Sequence, residues 1–197
     1  MLSKTFFPQH PKAGEPTGFK EKVKNGAKRH TCRCNYDYWK QRIEILQERG
    51  GVLSLRQWSG KPYEKGKPQE LIMDVPASMI DVQQLIMERR KRDEPDYVEV
   101  QPGQFQPRTA YEYFARIDGE PYDVEVIAKN DGLSLEDFKA WFNPVFDEYE
   151  KKHKVENTAL SFAVIHFTTF HSRSRKYGTP ASSPKTSKRE RIIKRNI

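Results

Sequence analysis

The chain has 197 residues, 36% hydrophobic and 31% charged, a length that suits one domain with a real core and excludes two ordinary domains joined by linkers. Its formal charge of +8 is local: Ser172 to Ile197 holds nine Lys/Arg and one acid, and removing these from 35 and 27 leaves 26 of each sign in Met1 to His171. Net charge therefore points to nucleic acid through the tail alone and excludes a basic body.

Leu2 to Phe7 is apolar-rich, and Pro8, Pro11, Gly14 and Pro16 enforce a loop before Phe19 to Lys24. Gly26 closes that segment, and Lys28 to Cys34 reads as a strand. Trp39, Ile43 and Leu46 then fall at i, i+4, i+7, which predicts a helix over Tyr36 to Arg49 stopped by Gly50-Gly51. Val52 to Trp58 returns as a strand, Trp58 to Tyr63 is a turn cluster, and Glu70 to Met73 is a short strand.

Ser78 and Asp81 form a capping-box pattern ahead of an apolar face of Met79, Val82, Leu85 and Ile86, predicting a second helix. Its end, Arg89-Arg90-Lys91-Arg92, suits the negative pole of a helix dipole better than a nucleic-acid patch. Pro95 to Pro107 reads as loop. Tyr111 to Ile117 and Tyr122 to Ala128 read as paired strands across Asp118 to Pro121, with Val124, Val126 and Ala128 on one face. Ser134 caps a helix whose stripe is Leu135, Phe138, Trp141 and Phe142. Leu160 to Phe170 is a buried strand, and Ser172 to Ile197 loses periodicity as a disordered tail does. The sum is an α+β fold, a small mixed β-barrel with inserted helices, over residues 1–171, with an insert around 74–107 and a basic tail over 172–197.

Cys32 and Cys34 stand too close along one strand for an ordinary disulfide, which fits a reducing compartment. No apolar run reaches the length of a membrane span or a signal peptide core, so the expectation is a soluble, cytoplasmic chain with no membrane partner. Phosphate-binding glycine loops, the G-x-S-x-G elbow and the H-E-x-x-H zinc motif are absent. Alternation puts His30, Cys32 and Cys34 on one strand face, but adjacent strand positions rarely close a tetrahedral site. Small core-facing residues are the better reading, and no metal or other cofactor is expected.

Gly26, Lys28, Thr31 and Arg33 form G-x-K-x-x-T-x-R. This resembles the G-x-K-x-x-E-x-R signature of ASCH domains in the PUA-like β-barrel superfamily. With Thr in place of Glu it is similar to the subgroup of small bacterial amidohydrolases that deacetylate N4-acetylcytidine. Thr5-Phe6-Phe7 and the run from Asp131 to Lys139, followed by Ala163 to Phe170, look like further parts of that enzyme, whereas Tyr36 to Phe114 holds much that the minimal enzyme lacks. The resemblance implies catalytic roles for Lys28, Thr31 and Asp131, the last standing where the family has Glu. The HT-x-R, WSGKPY-like and DGLS-x-x-DF segments also look like those of uncharacterised phage and mobile-element proteins, from which no activity carries over.

Amide hydrolysis needs an activated nucleophile and a donor for the oxyanion. Lys28 is expected to act as a cation at the oxyanion, since a nearby Asp131 opposes its neutralisation. Asp131 is then the base or the group that positions water, and Thr31 the nucleophile or the hydroxyl that orients it. Convergence requires a bend near Lys28, which Gly26 can supply. Arg33 is assigned to a phosphate or base edge. Trp58 and Tyr63 offer stacking surfaces or loop packing, and Lys61 with Lys65 and Lys67 a phosphate-facing or solvated loop. Asn130-Asp131-Gly132 is also ideal turn chemistry, His166 reads as a core histidine, and His10 and His153 carry no assignment. Three functions follow: an amidohydrolase on an N4-acylated cytosine, a non-catalytic RNA- or DNA-binding module helped by the tail, or an interaction protein using the 74–107 insert.

Overall fold

A computed structural model describes residues 1–60 and 64–168. In chain order it contains α1 (Phe19–Lys24), β1 (His30–Cys34), α2 (Tyr36–Glu48), β2 (Val52–Trp58) and β3 (Gln69–Pro76). After a 3-10 turn at Ala77–Met79 come β4 (Asp81–Lys91), β5 (Asp96–Gln101), β6 (Gln104–Arg108), β7 (Tyr111–Ile117), β8 (Glu120–Tyr122), α3 (Val124–Asn130), α4 (Leu135–His153) and β9 (Thr158–His166). The architecture is α+β. The main sheet has five antiparallel strands in the order β1-β9-β4-β7-β8, and β2-β3 and β5-β6 form two separate pairs. Among the described residues these sheets do not join into one closed barrel.

The core lies where the sheet meets the helices. Phe138, Phe142 and Phe146 recur every four residues along α4, are all buried, and meet Phe162 of β9 with ring centroids 5.1 and 6.2 Å away for Phe142 and Phe146. The Ser134 hydroxyl accepts the Asp137 amide and caps this helix as its sequence predicts. Ile43 of α2 is buried in the same core.

Three predicted segments fold differently. Ser78 to Arg92 is mostly strand β4. Gln83, Leu85, Met87 and Arg89 are buried in alternation, and the strand bonds to β9 on one side and β7 on the other. Its Gln, Leu, Met and Arg content favours helix locally, and the backbone pairing available in the sheet centre overrides that preference. The 74–107 stretch thus supplies the central strand as well as a separate hairpin. Tyr122 to Ala128 is strand only at its first residue, because the Asp123 side chain accepts the Glu125 amide and starts α3, burying Val124, Ile127 and Ala128 at helical spacing. Pro95 to Pro107 is the β5-β6 hairpin, reversed at Gly103 with φ 76°, and it leaves Tyr97 and Phe105 exposed.

The basic run is likewise no helix end. Arg89 is buried between α4 and the sheet, paired with Asp147 at 2.7 Å and Glu150 at 2.6 Å and lying 4.2 Å over the Tyr111 ring. No helix among the described residues is long and apolar enough to cross a membrane. The predicted disordered tail, 172–197, lies outside the described residues.

Candidate functional site

The chain reverses twice at the place the sequence singles out. Gly26, at φ 77°, follows α1, and the Lys28 amide then donates back to the Lys22 carbonyl at 2.8 Å. This bend, expected at Gly26, carries Lys28 out of the strand that begins at His30. The Arg29 amide donates to the Asn130 carbonyl at 2.7 Å, fastening the bend to the end of α3. There Asp131 caps the helix and Gly132, also at φ 77°, turns the chain. A Cβ on Gly132 would lie 3.1 Å from Lys28 Cβ, so at this left-handed position a side chain would both strain the backbone and press on Lys28.

The outcome is a buried ion pair between residues 103 positions apart. Lys28 Nζ donates to Asp131 Oδ1 at 2.5 Å and to the Asp131 carbonyl at 2.6 Å, and it sits 4.1 Å from the centre of the Phe19 ring. Both side chains are buried, at 1% and 7% exposure. Burial pushes the Lys28 ammonium down and the Asp131 carboxyl up, while their mutual attraction, Arg33 and the Cys32 amide oppose these shifts at Asp131. Because each charge answers the other within one hydrogen bond, the ion-paired form is the state this geometry supports.

Thr31, 7% exposed, lines the same cavity as the pair, and its hydroxyl has no hydrogen-bond partner among the described residues. Lys28, Thr31, Arg33, Asp131 and Trp58 all line one cavity of about 240 Å³. Arg33 donates to the Met1 carbonyl at 2.7 Å, which draws the first residues to the cavity rim. Lys61 and Tyr63 lie outside the described residues. A larger open hollow of about 680 Å³ covers the outer face of β7 and α3. Its Glu88 and Arg90 are paired at 2.6 Å, and it holds no comparable buried constellation.

Two cavity residues carried no functional signal in the sequence. Trp141 was legible only as part of the apolar stripe of α4, and Phe19 only as a member of a short apolar segment. Trp141 lies at the centre of an aromatic group with Phe6, Phe7, His10 and Phe19, all within 6.3 Å between ring centroids. His10 is buried there, accepting the Lys12 amide at Nδ1 and donating from Nε2 to the Asp137 carbonyl. His166 is a core histidine whose Nε2 meets Gln83 Oε1 at 2.9 Å, and His153 lies against the Tyr149 ring in a tilted pair at the end of α4.

Cys32 is buried as expected, and burial drives its thiol well above the usual range. Cys34 is exposed and stands apart from the cluster predicted by alternation. Asp131 takes its place: ligand atoms of His30, Cys32 and Asp131 all lie within 4.8 Å of one another. Comparison with protein-family models, curated proteins and solved structures finds no match.

Proposed function

We propose that this chain is an ASCH-like, PUA-related amidohydrolase whose cavity takes a nucleoside carrying an N4-acylated cytosine. One observation carries the proposal: Lys28 of the G-x-K-x-x-T-x-R run is paired, buried, with a carboxylate 103 positions away, and Thr31 and Arg33 of the same run line the cavity that this pair lines. An open cavity with a charged pair, a nucleophile-type hydroxyl and aromatic walls has the parts that acyl transfer on a planar base requires.

The acylated base enters with its ring against Trp58 and Trp141 and its exocyclic amide toward Lys28. Asp131 accepts the proton of the attacking hydroxyl, either Thr31 Oγ1 or a water held by it. A C–O bond forms at the acyl carbon, and the negative charge passes to the acyl oxygen. Lys28 meets that oxygen by exchanging its bond to the Asp131 carbonyl for one to the oxyanion, keeping its bond to the Asp131 side chain. Collapse breaks the C–N bond, and the proton held by Asp131 goes to the leaving amine of cytosine; where Thr31 attacked, a water deprotonated by Asp131 then attacks the ester carbonyl, the ester C–O bond breaks, and the proton returns to Thr31 Oγ1 as the acid leaves. Arg33, already bound to the Met1 carbonyl, has further N–H groups to place on a base carbonyl or sugar oxygen.

The full chain incubated with N4-acetylcytidine is expected to release acetate, and Lys28→Met, Thr31→Ala and Asp131→Asn to lose about 100-fold or more of that rate. No release, or release unchanged by all three substitutions, overturns the hydrolase. Binding without release makes the cavity a reader of modified bases. An acyl adduct on Thr31 after a rapid quench identifies the hydroxyl as nucleophile; its absence during turnover assigns attack to water.

A further inference from the structure

His30, Cys32 and Asp131 contribute an imidazole, a thiol and a carboxylate from two elements, all buried, with ligand atoms within 4.8 Å of one another. We propose that these three side chains form a binding site for a borderline-soft divalent ion of the zinc or cobalt type, exclusive with the Lys28–Asp131 ion pair. The mixed N, S and O donors select against hard ions such as magnesium and calcium, which take oxygen ligands. Three protein ligands with a cavity beside them leave a fourth position for water. The His30 ring is already oriented from behind by the Ile127 carbonyl, 3.1 Å from Nε2. A backbone carbonyl behind the ring is the kind of outer partner that orients metal-bound histidines.

Lys28 is what holds the site closed. Its ammonium is 2.5 Å from Oδ1 of the carboxylate a metal ion would use, and a divalent cation alongside it is repelled. Loading therefore requires the Lys28 side chain to leave Asp131, and the Cys32 thiol to release its proton to solvent as the metal–sulfur bond forms. The ion-paired and metal-loaded forms are two states of one cluster, sharing Asp131 as the common ligand.

The test uses the full chain and Co2+ alone, read by the thiolate-to-cobalt charge-transfer absorption, with no substrate present. Lys28→Met and Lys28→Gln remove the competing charge, the latter keeping a donor to Asp131 so that folding is maintained. Both are expected to bind Co2+ at least about tenfold more tightly than the parent chain, with the thiolate band and a raised Tm. Adding Cys32→Ser to Lys28→Gln should abolish the band, and adding Cys34→Ser should leave it intact. A folded Lys28→Gln chain without the band overturns the site. So does a band that survives Cys32→Ser, or equal affinity in the parent and Lys28→Gln. Because the readout is spectroscopic and substrate-free, failure of the hydrolase leaves this result standing, and the reverse holds as well.

Discussion

Gly132 does two things at one position, and only one of them is written in its neighbours. Asn130-Asp131-Gly132 announces a turn, and a turn forms there with Gly132 at φ 77°. The same glycine also gives Lys28 room, because the nearest atom to a Cβ placed on it is Lys28 Cβ at 3.1 Å. Gly132→Ala therefore combines a left-handed backbone, costing an L-residue roughly 1–2 kcal/mol, with a contact that pushes Lys28 away from Asp131. Urea unfolding should show a loss of about that size. Acetate release should fall by more than the stability change explains, since Lys28 must give by a few tenths of an ångström and rate falls steeply with misplacement of a reacting group. Full activity in a destabilised Gly132→Ala chain would detach the Lys28 geometry from function. At this scale the sequence spoke clearly for Lys28, Thr31 and Arg33, which a local motif joins. It was silent on Trp141, since an aromatic on a helix stripe looks the same whether it faces a core or a cavity.

Elements were legible where periodicity and capping agree, as in α2 and α4, and misleading where they compete with long-range pairing. The β4 segment carries a capping pattern and helix-favouring residues, yet its neighbours β7 and β9 come from distant sequence and supply bonds along both edges. The helix α3 shows the opposite case: β-branched Val124, Val126 and Ile127 suggest strand, while the Asp123 cap decides for helix. The start of α4 adds a tie that the sequence does not reveal. Asp137 receives Lys12 Nζ at 2.8 Å, which binds the N-terminal loop to the helix, although its cap by Ser134 was foreseeable. Partial burial works against the Asp137 charge, but Lys12, the Ser134 hydroxyl and His10 outweigh it, holding the carboxyl below its ordinary 3.8. A lowered carboxyl adds stability that is present above the unfolded value and disappears as pH falls through the folded one. Asp137→Asn should thus lower stability by roughly 0.2–1 kcal/mol at pH 7, and the difference from the parent chain should vanish well below pH 3.8. A difference that is constant with pH would mean that packing, and not the ion pair, carries the contribution of Asp137.

At the scale of the whole molecule, charge and site are separated along the chain. The cavity lies in Met1 to His171, where 26 basic residues face 26 acidic ones, and its own Lys28 is neutralised by Asp131. The excess of eight positive charges falls in Ser172 to Ile197, outside the described residues. Phosphate neutralisation is what makes nucleic-acid affinity salt-dependent, each contact on duplex DNA adding about 0.9 to the slope of log affinity against log salt. If the chain binds nucleic acid, the full protein should show a steep slope on RNA or duplex DNA, and removal of residues 172–197 should flatten it. Deacylation of the small, uncharged N4-acetylcytidine should be unaffected by the same truncation, because an uncharged nucleoside offers no phosphate for the tail to hold. Measuring both on the two chains separates the roles. A slope that survives truncation moves the phosphate contacts into the body, with Arg33 and Lys61 as the first positions to substitute. A flat slope in the full chain removes nucleic acid from the partners that charge alone would suggest.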